Sequence, residues 1–135
     1  MYIQDFLVKL EKKEAFPPLI VFAGEAEDIK AEGLARLKQC FRTRYPSGRL
    51  HFVDGGAEDL ISALDDARTP SLFHEPKLIV FLNAQKALNA DTAPSLASYL
   101  ESPVEDHILV FLRKDSKSAA VLKKSGWSVY GNIRR

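Results

Sequence analysis

The stretch that decides the fold is "LIVFAGEAEDIKAEG", Leu19 to Gly33. An unbroken apolar run, Leu19 to Ala23, reaches Gly24 and passes into a helical pattern that opens with the acids Glu25, Glu27 and Asp28. A continuous run, as opposed to an alternating one, describes a strand covered on both faces, which is the condition of a parallel sheet between helix layers. A strand that feeds a helix through a glycine is also where many α/β domains seat a phosphate, because free amides and the helix dipole favour an anion there. The first question is whether this turn can do so.

Working outward, "LHFVDGG" (50–56), "KLIVFLN" (77–83) and "HILVFLR" (107–113) repeat the strand signal at intervals of about 30 residues. Helical stripes lie between them: Leu34, Leu37 and Phe41; Leu60, Ile61, Leu64 and Ala67; and Leu96, Tyr99 and Leu100, with Asp91 as N-cap and Pro94 in the first turn. A further short helix is expected from Ser116 to Gly126, and "WSVYGNI" (127–133) is the expected fifth strand. Alternating strands and helices with right-handed crossovers give a three-layer, doubly wound α/β domain around a mainly parallel five-stranded sheet. Ahead of it, Ile3, Phe6, Leu7 and Leu10 have the spacing of an additional N-terminal amphipathic helix, which "FPP" (16–18) ends.

A chain of 135 residues with 46% hydrophobic content fits one domain, 1–135, with a sizeable core. It stops at Arg134 and Arg135 directly after the last expected strand, with no helix to cover that edge, and is therefore expected to be a fragment of a longer protein. The single cysteine, Cys40, excludes an internal disulfide framework, suits a reducing compartment and reads as a small buried hydrophobe. No apolar run approaches the roughly 20 residues that span a bilayer, so a soluble, cytoplasmic protein without membrane contact is expected. With 19 basic and 18 acidic residues the net charge is +1, which provides no global field toward nucleic acid.

A phosphate loop of the form GxxxxGK[ST] needs a second glycine for close backbone approach, a lysine for charge and a hydroxyl for magnesium. Aligned on Gly24, those three positions hold Ile29, Lys30 and Ala31, so only the first glycine and the lysine are present. Ile29 is β-branched and poorly suited to positive φ, and Ala31 has no oxygen for a metal. Glu25, Glu27 and Asp28 stand where the anion would lie, and each like charge at close range costs about 1 kcal/mol even in water. The acids instead complement the positive end of the helix dipole. The loop is expected to be inactive and Lys30 to be a solvated surface lysine. The third strand ends in Asn83 and Gln85, where a magnesium-dependent ATPase of this layout needs an acid.

Other chemistry finds no foothold. His51, His74 and His107 are scattered, no cysteine and histidine spacing suits zinc, and no G-x-S-x-G elbow occurs. His51 and His107 fall at strand starts, where a structural role is expected. Lys38, Arg42, Arg44 and Arg49 could meet phosphate backbones, but a solvated helix end is the simpler reading. No catalytic residue, metal site or cofactor is expected.

That leaves "RTPSLFHEPK" (68–77), in which Pro70 and Pro76 bracket Leu72 and Phe73 between the second helix and the third strand. Two large apolar side chains in such a connection are either packed beneath the sheet or presented to a partner, and periodicity alone favours packing.

The segments "TPSLFHEPKLIVFLNAQKAL" (69–88), "LASYLESPVEDHILVFLRKDSK" (96–117) and "PPLIVFAGEAEDIKAEGLARL" (17–37) resemble the N-terminal domain of the delta subunit of the bacterial DNA polymerase III clamp loader. The resemblance covers most of the chain from Pro17 onward and is most specific over Ser71 to Lys86. It implies an AAA+-type fold with a disabled phosphate loop, in agreement with the reading of Gly24 to Ala31. It also implies binding to the ring-shaped sliding clamp, the beta subunit, through Leu72 and Phe73 with Ser71 preceding them, and shifts the expectation for that pair toward clamp contact. Relatives of this kind continue into further domains that assemble with the other loader subunits. Those domains are missing here, so clamp contact is expected to survive, loader assembly is not, and DNA contact is expected to be indirect or weak. A divergent nucleotide-binding domain using Lys30 is the alternative.

Overall fold

Strand β1 (Leu19–Ala23) is buried at every position, as its unbroken apolar run requires. In the computed structural model, which describes residues 7–8, 12, 16–24, 27–69, 75–87, 91–104, 106–113 and 129–131, it lies inside the sheet with β4 (His107–Arg113) on one side. Beyond β4 come β3 (Lys77–Phe81) and then β2 (Arg49–Val53), all parallel, and the three-residue β5 (Val129–Gly131) adds to the other side of β1. The order is β2-β3-β4-β1-β5. Four strands of five to seven residues thus form the body of the sheet, and the fifth is shorter than the seven-residue segment expected from 127–133. β2 is the half-exposed edge, and Phe52 on it is 50% exposed.

Alternate residues of each strand serve opposite faces. Ile20 and Phe22 of β1, Leu78 and Val80 of β3, and Ile108 and Val110 of β4 pack against α1 (Glu27–Arg44) through Ile29, Leu34, Leu37 and Phe41. Leu7, in helical conformation and 1% exposed, joins this layer. Ile3, Phe6 and Leu10, the rest of the expected N-terminal stripe, lie outside the described residues, as does the segment 116–126. On the other face, Leu19, Val21, Ile79, Phe81, Leu109 and Phe111 meet α2 (Ala57–Arg68), α3 (Ala84–Ala87) and α4 (Ala93–Glu101). The rings of Phe81 and Phe111 pack edge to face there at 4.8 Å. Each fully buried aliphatic or aromatic side chain contributes about 1.5–3 kcal/mol, so these two layers dominate the stability of the domain.

Several local expectations need correction. On α2 the buried residues are Leu60, Ala63, Leu64 and Ala67, while Ile61 is 38% exposed. The buried set has the i, i+3, i+4, i+7 spacing of one helix face, and Ile61 falls off it. The N-cap of α4 is Thr92, with Pro94 in the first turn as expected, and Asp91 lies one residue outside. Buried Thr92 donates its hydroxyl to the Ala87 carbonyl at 2.8 Å, tying α3 to α4. Cys40 is half-buried at the margin of the α1 layer, because it sits beside the stripe of Leu34, Leu37 and Phe41 instead of on it. α1 ends at a turn in which Gly48 approaches the Phe41 ring so closely that a Cβ would sit 2.6 Å from it.

Candidate functional site

The strand order places the topological switch between β1 and β4. From β1 the chain crosses through α1 to the far edge, and from β2 it returns through helices on the opposite face. Open α/β sheets bind ligands outside the carboxyl ends of the strands at such a point. Gly24, Ile29, Lys30 and Ala31 all stand there. Gly24 follows β1 with φ 144°, a backbone conformation that side chains with a Cβ rarely adopt, so this glycine is required by the turn itself.

In the crevice, the polar groups of the turn meet the chain itself. The Gly24 N–H donates to the Arg113 carbonyl at the end of β4, at 3.1 Å. The Lys30 ammonium donates to the same carbonyl at 3.0 Å and to Glu27 Oε1 at 3.0 Å. Lys30 is 3% exposed. The expected surface lysine is therefore a buried one, and the reason lies in the crevice: it offers an ammonium a strand-end carbonyl and a carboxylate while the apolar stem packs along the helix. Ile29, in place of the second glycine, is a core residue of the α1 layer. Ala31 is exposed beside a shallow cleft of about 240 Å³ lined also by Leu34, Leu82, Asn83 and Leu112. At the end of β3, Asn83 donates to Asp54 Oδ1 at 3.0 Å, a juxtaposition with the end of β2 that spacing alone did not reveal. Gln85 belongs to α3.

Ser71, Leu72 and Phe73 lie outside the described residues. The two ends of their connection are described, and both sit at the opposite, amino-terminal end of the sheet. At the first end, Thr69 donates its hydroxyl to Asp65 O at 2.9 Å and its N–H to Asp66 O at 3.2 Å. Buried His107, the first residue of β4, has its Nδ1 2.7 Å from Ala67 O, which assigns the ring proton to that nitrogen. Sequence reasoning expected a structural histidine here, but the helix end that it holds has no sequence signal. At the second end, Arg49 donates its N–H to Pro76 O at 2.9 Å, and its Nε lies 2.8 Å from Glu75.

The remaining candidates are placed as follows. His51 is half-buried on edge strand β2, and His74 lies outside the described residues. Of the basic cluster, Arg42 is exposed, Lys38 lies over the Phe52 ring at 5.4 Å and Arg44 over Phe16 at 4.4 Å. Among the described residues, no group of three or more His, Cys, Asp or Glu is arranged to hold a metal, and no helix is long and apolar enough to cross a membrane.

A parallel sheet in the order β2-β3-β4-β1-β5 with helices on both faces defines a three-layer α/β domain. The chain belongs to the family of DNA polymerase III delta subunits, whose model matches residues 48–127. That family provides a non-catalytic component of the clamp loader in DNA replication. In fold the chain is similar to the Bacillus subtilis DNA clamp loader delta protein, with a TM-score of 0.69, 20% identity and 96% of this chain covered. It spans 42% of the length of that protein. No curated protein matches the chain.

Proposed function

We propose that this chain is the clamp-contacting domain of a delta subunit, with Leu72 and Phe73, preceded by Ser71, as the residues that enter an apolar pocket on the sliding clamp. The observation that carries the reading is the family match, which runs through this segment. The anchoring of both ends of the connection supports it, as does the proline on each side in the sequence, because proline lowers the entropy lost when a segment is ordered on binding. The crevice at the switch point supports the absence of a nucleotide. Its lysine is engaged by the chain's own carbonyl and carboxylate, and Ile29 is committed to the core. The domain thus works without a cofactor, and ATP energy enters the loader through other subunits. Replication of the bacterial chromosome sets the location in the cytoplasm, and contact with DNA is indirect or weak.

Titration of a purified bacterial sliding clamp with the chain and with its Phe73→Ala variant tests the reading. Loss of one deeply inserted aromatic side chain is expected to weaken binding by about tenfold to a hundredfold. Equal affinity of a folded variant removes the proposal.

A further inference from the structure

β2 ends the sheet on one side, and among the described residues no strand pairs with its outer edge. Its pairing with β3 shows which groups are left over. The Arg49 N–H donates to Pro76 O and Val53 O accepts from the Leu82 N–H, so residues 49, 51 and 53 turn their backbone groups inward to β3. Successive residues of a parallel strand point these groups to opposite sides, which leaves the N–H and C=O of Leu50 and Phe52 facing outward. The side chains of the same two residues lie on the α1 face, where Leu50 packs against the core and Phe52 is 50% exposed. The charge around this edge is segregated. From Gly33 to Val53 the chain carries Arg36, Lys38, Arg42, Arg44 and Arg49 and no acid, although the whole protein is only +1. Lys38 lies over the Phe52 ring at 5.4 Å, and exposed Arg42 stands one turn further along the same side of α1. Arg49, paired with Glu75, keeps 65% of its side chain exposed. The acid that follows the strand, Asp54, accepts a hydrogen bond from Asn83.

Open edges attract further strands, and proteins blunt them with short length and with cations. The cations here are selective. Two copies meeting edge to edge would set Lys38, Arg42 and Arg49 against the same charges, whereas an acidic strand meets opposite ones. A nucleic acid fits less well: its phosphates use only the donors of an edge that alternates donors with acceptors, and Lys38 already covers a ring face on which a base would stack. We infer that the β2 edge is a docking site for an extended acidic polypeptide segment, which adds to the sheet as a further strand. The main chain of Leu50 and Phe52 pairs with it, the Phe52 ring packs against one of its apolar side chains, and Lys38 and Arg42 meet its carboxylates. This site does not rest on the reading of Leu72 and Phe73.

The probe is a fluorescent peptide repeating Asp-Val-Val-Asp, which puts both acids and apolar residues on each face of a strand, titrated with the full 135-residue chain. Saturable binding is expected, with none for the same peptide carrying lysine in place of aspartate. Phe52→Ala is expected to weaken binding about fivefold, as is the pair Lys38→Met and Arg42→Met. Phe52→Pro removes an outward N–H at an edge position where proline is tolerated, and is expected to abolish binding with the melting transition retained. No binding of the aspartate peptide at millimolar protein, or parent affinity for Phe52→Ala and Phe52→Pro, overturns the inference. Binding of an oligo-dT strand in place of the peptide, lost with Lys38→Met and Arg42→Met, overturns it in favour of a nucleic acid. A parent dimer that Phe52→Pro dissociates overturns it in favour of self-pairing. Should Phe52→Pro fail to fold, N-methylation of alternate residues of the aspartate peptide blocks strand pairing from the other side. It is expected to abolish binding, and unchanged affinity overturns the inference.

Discussion

Lys30 shows how far a single residue can depart from its sequence reading. It was expected to be a solvated lysine once the phosphate loop read as disabled, yet it is buried and its ammonium is bonded to Arg113 O and Glu27. Lys30 stands four residues before Leu34 and seven before Leu37, on the buried face of α1, so its spacing agrees with the burial while its charge argued against it. Glu27 is exposed enough that its pairing contributes little. The bond to the buried carbonyl is worth more, about 1.5–3 kcal/mol for a charged donor, offset in part by taking the ammonium out of water. Lys30→Met is accordingly expected to lower stability by about 1 kcal/mol, read from a denaturant melt, without impairing clamp binding. Gly24 was legible as a turn glycine, and its φ of 144° gives the physical reason.

Elements were legible where burial is total. β1, β3 and β4 announced themselves as unbroken apolar runs because both their faces are covered. α2 was placed correctly but rotated in detail, since Ile61 outweighs Ala63 in hydrophobicity while Ala63 has the better spacing. α3 is one turn long and left no periodic trace. The Leu72 and Phe73 pair has no period of its own, so the role proposed for it comes from the family resemblance and not from pattern. In α4, burial raises the pKa of the Tyr99 phenol, against the opposing influence of the Val104 backbone and Arg68. The folded state therefore favours the neutral phenol. The associated stability is complete below the ordinary value of 10.0 and lost as pH rises through the higher folded value. Melting of Tyr99→Phe against the parent is expected to show a smaller loss of stability in the alkaline limb, with little difference at neutral pH.

For the whole molecule, the strand order shows a parallel α/β sheet and the family match places the chain among DNA polymerase III delta subunits. A genuine ligand at 100 times its dissociation constant adds about 2.7 kcal/mol of stability. Millimolar Mg-ATP is expected to leave the melting midpoint unchanged, and an upward shift would return the domain to the nucleotide binders. One carbonyl, that of Arg113, collects both the Gly24 amide and the Lys30 ammonium. If, as proposed, the domain grips the clamp and takes no nucleotide, that grip stands in readiness at every stage of a loading cycle, and the timing of release falls to whichever neighbours shield or uncover the opposite rim of the sheet.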